Sequence, residues 1–451
     1  MSQLGETGSI TDETTYGTGA FDAHRPPDEA LLGDCVHCGF CLPTCPTYVL
    51  WGEEMDSPRG RLYLMKEGLE GAEMSDAMVD HWDNCLGCMS CVTACPSGVR
   101  YDTLIEQTRA QVERHHTRTP SERALRGLIF ALFPHPRRLR LLRGPLRALQ
   151  RTGLDRALRR TGLLERVAPH LAAMERLAPP LSRAERLPER VPAVGTRRAT
   201  VGLITGCVQG TFFPEVNAAT ARVLAAEGCD VVIPPGQSCC GALSVHNGRE
   251  EEAQSFARRT IDAFERAGVE TVVINAAGCG STLKDYARLL ADDPSHAERA
   301  RRFQERVRDI AEVLADLGPV AERHPLPVTV AYHDACHLAH AQGIREQPRR
   351  LLAGIPGLEV REIAEAELCC GSAGIYNILR PEASRELGER KAANIVATGA
   401  EVLVTANPGC LLQVTSAIED RGHSMGMAHL VEVLDASLRG LSPDHLRHRS
   451  T

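Results

Sequence analysis

Eight of the 17 cysteines fall between Cys35 and Cys95, in two copies of one pattern. Cys35-Val-His-Cys38-Gly-Phe-Cys41-Leu-Pro-Thr-Cys45-Pro46 and Cys85-Leu-Gly-Cys88-Met-Ser-Cys91-Val-Thr-Ala-Cys95-Pro96 both read C-x2-C-x2-C-x3-C-P. A tight turn every third residue points three thiolates at three irons of one cube, and the loop N–H groups can hydrogen-bond to the sulfurs. The cysteine before proline is directed away and, in two-cluster ferredoxins, ligates the other cube. That rule assigns one [4Fe–4S] cluster to Cys35, Cys38, Cys41 and Cys95, and a second to Cys45, Cys85, Cys88 and Cys91. Structural zinc favours paired C-x2-C spacing over four-cysteine runs and is the weaker alternative. Two neighbouring cubes conduct electrons rather than make or break substrate bonds.

The other nine cysteines lie between Cys207 and Cys410 and form an internal repeat. Cys207, Cys239, Cys240 and Cys279 are separated by 32, 1 and 39 residues; Cys336, Cys369, Cys370 and Cys410 by 33, 1 and 40. Cys229 has no counterpart and reads as an ordinary buried thiol. Each quartet centres on a Cys-Cys-Gly turn. Such a set can bind a cluster, bind another metal, form a redox disulfide, or pack as inert thiols. His333, Asp334 and His337 flank Cys336, and His246 follows Cys240. Histidine there can donate to a sulfide, ligate, or carry protons. The alternative is a strand-end hydrogen bond to backbone, which is the expected role of His246.

The elements that must hold these thiols follow from hydrophobic pattern. Gly60 to Glu70, Asp76 to Asp83 and Tyr101 to Glu113 carry helical spacing around the first cysteine block. In the repeat, apolar strands opening at Ala199 and Val328, and the runs Asp230 to Ile233, Thr271 to Asn275 and Glu401 to Thr405, alternate with helices. Those helices are Pro214 to Glu227, Glu250 to Ala267 and Ala383 to Thr398. Strands alternating with helices imply parallel α/β units, whose sites gather beyond the carboxyl ends of the strands. Cys207, Cys279, Cys336 and Cys410 sit there. The repeat predicts two pseudo-equivalent lobes with their cysteines at one edge.

Between the two cysteine populations, residues 109–198 hold 21 Arg, 7 acidic residues and no Lys. Leu142, Leu146, Leu149, Leu154 and Leu158 recur at helical intervals, and prolines at 134, 136, 145, 169, 179 and 180 are expected to cut the segment into short helices. It is either a basic amphipathic surface for an acidic partner or anionic lipid, or a helical linker with solvated arginines. Arg59 and Arg61, between the two motifs, could raise a cluster's potential or dock a partner, or lie solvated in a turn.

The 451-residue chain is 43% hydrophobic with a net charge of −7 and 4% aromatics, which excludes wholesale disorder and argues against nucleic-acid binding. Apolar stretches are too short to span a bilayer, and the polar start shows no secretory signal. The expected location is the cytoplasm, where grouped cysteines read as metal or redox centres. The expected fold class is α+β/mixed. Its parts are a flexible arm (1–28), a small helical two-cluster ferredoxin-type domain (29–108), a basic helical linker (109–198) and two α/β cysteine-rich domains (199–318 and 319–451).

The combination resembles the iron–sulfur subunit of glycolate oxidase (glycolate dehydrogenase) over roughly residues 30–435. The resemblance is carried by the two ferredoxin motifs, Asp56-Ser-Pro-Arg-Gly-Arg61, Tyr332-His-Asp-Ala-Cys-His-Leu-Ala-His-Ala-Gln-Gly-Ile344 and Asn407-Pro-Gly-Cys410. It implies a subunit that takes electrons from FAD on partner subunits toward a quinone or other acceptor, with peripheral contact at the inner face of the cell membrane. The sequence has no dinucleotide fingerprint between strand and helix and no nucleophile elbow, so the isolated chain is not expected to oxidise substrate. Similar layouts occur in anaerobic glycerol-3-phosphate dehydrogenase and heterodisulfide reductase-like chains, and a metal-stabilised interaction module is the reading from another class. The fuller heterodisulfide reductase motif ends in C-x-x-C, but Thr282 and Gln413 stand at those positions. A five-thiolate noncubane cluster is therefore not expected, which leaves a four-thiolate cubane or an empty site.

Overall fold

The computed structural model describes residues 19–153, 161–179, 181 and 187–448. Two sheets carry the cysteine repeat. The first has the order β1-β3-β2-β4-β5, built from β1 (Arg190–Val191), β2 (Ala199–Leu203), β3 (Cys229–Val232), β4 (Thr271–Ile274) and β5 (Val307–Asp309). The second has the order β7-β6-β8-β9, from β6 (Thr329–His333), β7 (Glu359–Arg361), β8 (Val402–Thr405) and β9 (Gly426–His429). Apart from the antiparallel edge strand β1, every pairing is parallel. The order β3-β2-β4-β5 repeats as β7-β6-β8-β9, so the duplication read from cysteine spacing is also a duplication of topology. The central strands read as near-continuous apolar runs because helices cover both faces of a parallel sheet.

Helix boundaries follow local chemistry. Glu250–Ala267 starts with three glutamates and ends at Gly268 in the left-handed region, which suits the helix dipole and frees the last turn. Pro214–Ala226 of the first lobe packs on Leu430–Leu438 of the second, tied by Arg222 to Asp435 at 2.9 and 2.8 Å. One apolar cluster, including Val201, Leu224, Val330, Val404 and Leu434, runs through both lobes.

The first cysteine block is helical. Pro58–Leu69, Asp76–Asp83 and Tyr101–His115 surround a core centred on Trp82, Met65 and Leu104. Residues 19–28 differ from the expected loose arm. Phe21 is buried against Trp82, with ring centroids 5.7 Å apart. Asp22 meets Arg114 at 3.0 Å, and Arg25 pairs with Glu250 and Asp292. A single aromatic anchor leaves no periodic signal. Residues 1–18 of that expectation lie outside the described residues.

The linker wraps this assembly with helices Pro120–Leu132, Pro136–Thr152, Leu163–Val167 and Pro169–Arg176. Proline begins three of them, but Pro145 lies inside the second rather than ending it. Leu154 and Leu158 of the expected leucine series lie outside the described residues. Several linker arginines are structural rather than solvated: Arg118 meets Asp83 at 2.7 Å, Arg126 meets Glu113 at 3.0 Å, and Arg143 donates to the Thr211 carbonyl.

Candidate metal centres

The two ferredoxin-type loops are built alike. His37 and Gly39 of the first, and Gly87 and Met89 of the second, adopt positive φ at matching positions. These turns separate successive cysteines, as a chelating loop requires. A helix beginning at Pro46 follows the first motif, whereas Ser90–Ala94 lies inside the second.

Cys45, Cys85, Cys88 and Cys91 line one small cavity together with Thr47, Arg61 and Tyr101. All four are buried. This is the cross-motif set expected for the second cube, and its donor chemistry fits one. Burial pushes the Cys88 and Cys91 thiols up, Cys88 also feeling Cys336 and Cys91 its neighbours. At Cys85, burial is outweighed by Arg61 and Arg109, by the Tyr101 hydroxyl at 3.5 Å and by the Gly87 N–H at 3.3 Å, so its thiol falls below the ordinary value. Arg61 is not in a solvated turn. It is 1% exposed on helix Pro58–Leu69, with Nη1 3.9 Å from the Cys45 sulfur, Nη2 3.1 Å from both Thr47 Oγ1 and Asp56 Oδ1, and Nε donating to the His81 carbonyl. Arg59 lies over the other loop, donating to the His37 carbonyl at 3.1 Å while paired with Glu54.

The first motif sits nearer the surface. Cys35, Cys41 and Cys95 pack at the edge of the helical core, and Cys38 is exposed. Burial pushes the Cys41 thiol up to about 11. Val36 and Phe40 of the same loop are 68% and 64% exposed.

The eight repeat cysteines converge further than the sequence implied. All of them line a single cavity of about 1160 Å³, which Cys85 also reaches. Cys207, Cys279, Cys336 and Cys410 lie just beyond the ends of β2, β4, β6 and β8, as expected. Cys207 and Cys239 sulfurs stand 3.6 Å apart. In each quartet the second thiol of the Cys-Cys pair is favoured as a thiolate by its neighbours: Cys240 by Cys239 and Cys279, Cys370 by Cys369, Cys410 and His333. Both thiols are held well below the ordinary value, despite burial. Their neighbours Cys239, Cys279, Cys369 and Cys410 are driven up. Every cysteine among the described residues is free of disulfide.

The two singled-out histidines part company. His333 is 1% exposed, and its ring nitrogen lies within 4.8 Å of the Cys370 and Cys410 sulfurs, where it helps hold the Cys370 thiol down. That is ligand reach rather than an outer position. His337 instead joins domains: Nε2 donates to the Gly87 carbonyl at 2.9 Å and Nδ1 accepts from Ser281 Oγ at 2.8 Å. Burial and the adjacent His246, whose ring centroid is 5.0 Å away, push His337 down to about 4. His246 bonds Glu106 at 2.8 Å and approaches Thr282, and Gln413 bonds Ser384 and Asn377. The two residues standing where a fifth cysteine would be are thus engaged elsewhere.

Sequence reasoning missed the groups that dock the first block on the lobes. His340 contacts Thr93 at 3.1 Å and Ser90 at 3.2 Å. Arg109 donates to the Cys85 and His246 carbonyls. Cys88 and Cys369 share one apolar cluster, with Cys336 packed against it. His340 carried a signal in the His333 to Gln342 stretch; Arg109 carried none. Lys391, one of three lysines in the chain, is 1% exposed; burial lowers it, opposed by Cys370, Cys369 and Cys410.

Paired chelating loops resting on a duplicated, thiol-lined α/β pair define an iron–sulfur electron carrier. Residues 32–99 match the 4Fe-4S dicluster domain, 201–284 and 330–415 each match the cysteine-rich domain, and 121–178 match the linker region of glycolate oxidase iron–sulfur subunits. The chain is 40% identical over 421 residues to the probable glycolate oxidase iron–sulfur subunit of Bacillus subtilis (strain 168), covering 90% of this chain and 94% of that one. It is 36% identical over 434 residues to the glycolate oxidase iron–sulfur subunit of Escherichia coli (strain K12), covering 95% and 98%. Lactate utilization protein A of Exiguobacterium sp. (strain ATCC BAA-1283 / AT1b) is 31% identical over 240 residues, 53% of this chain and 98% of that protein. The chain belongs to the glycolate oxidase iron–sulfur subunit family. No helix among the described residues is long and apolar enough to cross a membrane.

Proposed function

We propose that this chain is the iron–sulfur subunit of a glycolate-type 2-hydroxy-acid dehydrogenase, carrying electrons from FAD on partner subunits toward a quinone-type acceptor. Cys35, Cys38, Cys41 and Cys95 hold an outer [4Fe–4S] cluster, and Cys45, Cys85, Cys88 and Cys91 an inner one. Each cluster supplies one-electron storage when bound. The protein's part is to fix their order. The observation that carries this reading is the unequal placement of the two loops: the first faces outward with Val36 and Phe40 exposed, and the second packs Cys88 against Cys336 and Cys369. The flavin partner docks on the outer loop, because exposed apolar residues beside a redox centre suit a buried contact. Arg61 holds a fixed positive charge near the inner centre, which favours its reduced, more negative form.

The regions divide this labour: residues 29–108 conduct, 109–198 link, and 199–318 and 319–451 form the receiving lobes. The quartets Cys207, Cys239, Cys240, Cys279 and Cys336, Cys369, Cys370, Cys410 form a further cluster or redox site, with His333 as a ligand in the second. Peripheral contact with the inner face of the cell membrane accords with the exposed leucines of the linker. The test is anaerobic addition of glycolate to the purified complex, with EPR of the clusters and iron and sulfide analysis. Paramagnetic reduced clusters are expected, with about eight irons per chain from the two cubes alone. Flavin reduction with no cluster signal refutes conduction. The chain without its partners should leave glycolate unchanged.

A further inference from the structure

The loop that carries Cys85, Cys88 and Cys91 touches both lobes, but not in the same way. On the second lobe it meets the short helix Cys336–Ala339 and its cap His340. The Gly87 peptide unit is engaged at both ends: its N–H lies 3.3 Å from the Cys85 sulfur, and its carbonyl accepts from His337 Nε2 at 2.9 Å. His337 directly follows Cys336 in the chain. Ser281 Oγ, 2.8 Å from Nδ1, selects the neutral tautomer with its proton on Nε2. His340, one turn on, stands 3.2 Å from Ser90 and 3.1 Å from Thr93, on either side of Cys91. It also lies 3.3 Å from the carbonyl of Glu367, two residues before Cys369. The contact around these bonds is apolar: Cys88 and Cys369 share one buried cluster, and Cys336 packs against it.

The first lobe meets the same loop less directly. Among the described residues, its four thiols pack in a cluster drawn wholly from residues 204–307. Arg109 links it to the loop, donating to the Cys85 carbonyl and, at 3.0 Å, to the carbonyl of His246, six residues beyond Cys240. His337 reaches this lobe as well, but only through the hydroxyl of Ser281, two residues beyond Cys279. Electron tunnelling weakens far more across gaps in packing than along covalent and hydrogen bonds. From the Cys85 sulfur through Gly87 and His337 to Cys336 the path is covalent except for two hydrogen bonds.

We propose that the second lobe's quartet receives electrons from the inner centre ahead of the first lobe's, and that His337 couples the two. The proposal rests on the electron-transfer reading above and assigns the two lobes an order. One electron leaves the centre held by Cys45, Cys85, Cys88 and Cys91 and enters the one held by Cys336, Cys369, Cys370 and Cys410. No bond breaks, and His337 keeps its Nε2 proton throughout. His337 is a positioning residue, acting through Gly87 on one side and Cys336 on the other.

The test uses the intact complex and two EPR measurements. Signals are assigned by loss: one absent from Cys370→Ala belongs to the second lobe, and one absent from Cys240→Ala to the first. In freeze-quench EPR after mixing with glycolate, the second-lobe signal should rise before the first-lobe signal. His337→Phe, which removes the donor to Gly87, should slow that rise about tenfold, the low end for groups that support metal ligands, with reduction of the first cysteine block unchanged. His337→Gln, whose amide N–H can still meet the Gly87 carbonyl, should restore most of the rate. In the dithionite-reduced complex the inner signal should be broadened by a neighbouring spin, and should narrow in Cys370→Ala but not in Cys240→Ala. A first-lobe signal that rises first overturns the proposal, as does the lack of any Cys370-dependent signal. An unchanged rate in a cluster-loaded His337→Phe complex, or equal losses with Phe and Gln, overturns the role of His337. If His337→Phe fails to load its clusters, the order of signals and the broadening in the wild-type complex still decide. Failure of the underlying reading looks different: glycolate leaves the first cysteine block oxidised, while the dithionite spectra still report which lobe neighbours the inner centre.

Discussion

The two cysteine-rich lobes share a strand order and a thiol spacing, yet they furnish their thiols differently. Three residues before its first cysteine, the second lobe has His333 where the first has Ile204. Behind the Cys-Cys-Gly turn, Gly241 packs on Ala253 and Gly371 on Ser384. Seven residues further along those helices stand Thr260 in the first lobe and the buried Lys391 in the second. Thr260 merely bonds the Cys239 carbonyl, whereas Lys391 places a cation near three thiols. The second lobe is also the one whose Cys336 and Cys369 pack beside Cys88. Duplication copied the frame, and the copy that touches the inner loop carries a histidine within reach of two thiols and a buried lysine. The difference teaches that equal cysteine counts do not make equal centres.

Four experiments break or sharpen that contrast. Cys370→Ala should cut turnover with the terminal acceptor about 10–100-fold and lower metal content, while Cys240→Ala costs less; equal losses would erase the asymmetry. Gly371→Ala should destabilise by about 2–3 kcal/mol in denaturant titration, since φ is +88° and a Cβ would lie 2.6 Å from the Ser384 carbonyl oxygen. Gly241→Ala, at φ +86° but 3.1 Å from the Ala253 carbonyl oxygen, should cost about 1–2 kcal/mol. His333→Ile, which gives the second lobe the first lobe's residue, should weaken metal retention about tenfold in chelator competition, and Ile204→His should strengthen it in the first lobe.

The smallest effect concerns the helix caps after the last strand of each lobe, Asp309 in the first and His429 in the second. Burial raises Asp309 from 3.8 to about 7, and its Oδ2 has no partner. The folded chain keeps this proton where the unfolded chain has lost it. Stability from this group is therefore full below pH 3.8 and is lost as pH rises through about 7. Asp309→Asn, which retains a capping oxygen, should raise the melting temperature above pH 7 and leave it unchanged near pH 4. A shift of equal size at both values would sink the argument.

Much of this was legible in the chain. The ferredoxin-type spacing, the repeat, the parallel α/β class and the helix Asp76–Asp83 are local or periodic signals, and the structure carries all of them. The strands β5 (Val-Arg-Asp), β7 (Glu-Val-Arg) and β9 (Gly-Met-Ala-His) were not legible, because they lack the apolar run that marks the equally short β3, β4 and β8. The convergence of both quartets on one cavity was hidden for a different reason. It depends on contacts such as His337 to Gly87, 250 residues apart, and no window along the chain samples such a pair. Arg61 could be singled out by position but not by fate, since burial of a guanidinium depends on partners as scattered as Thr47, Asp56 and His81.

The exposure of Cys38, with Val36 and Phe40 beside it, has a consequence for handling and for assembly. In the arrangement proposed above, dioxygen would reach that end of the wire first, so a subunit without the proposed flavin partner would be open to corrosion at its own entrance. Pairing with that partner would then do more than complete a circuit: it would close a door through which air can undo it.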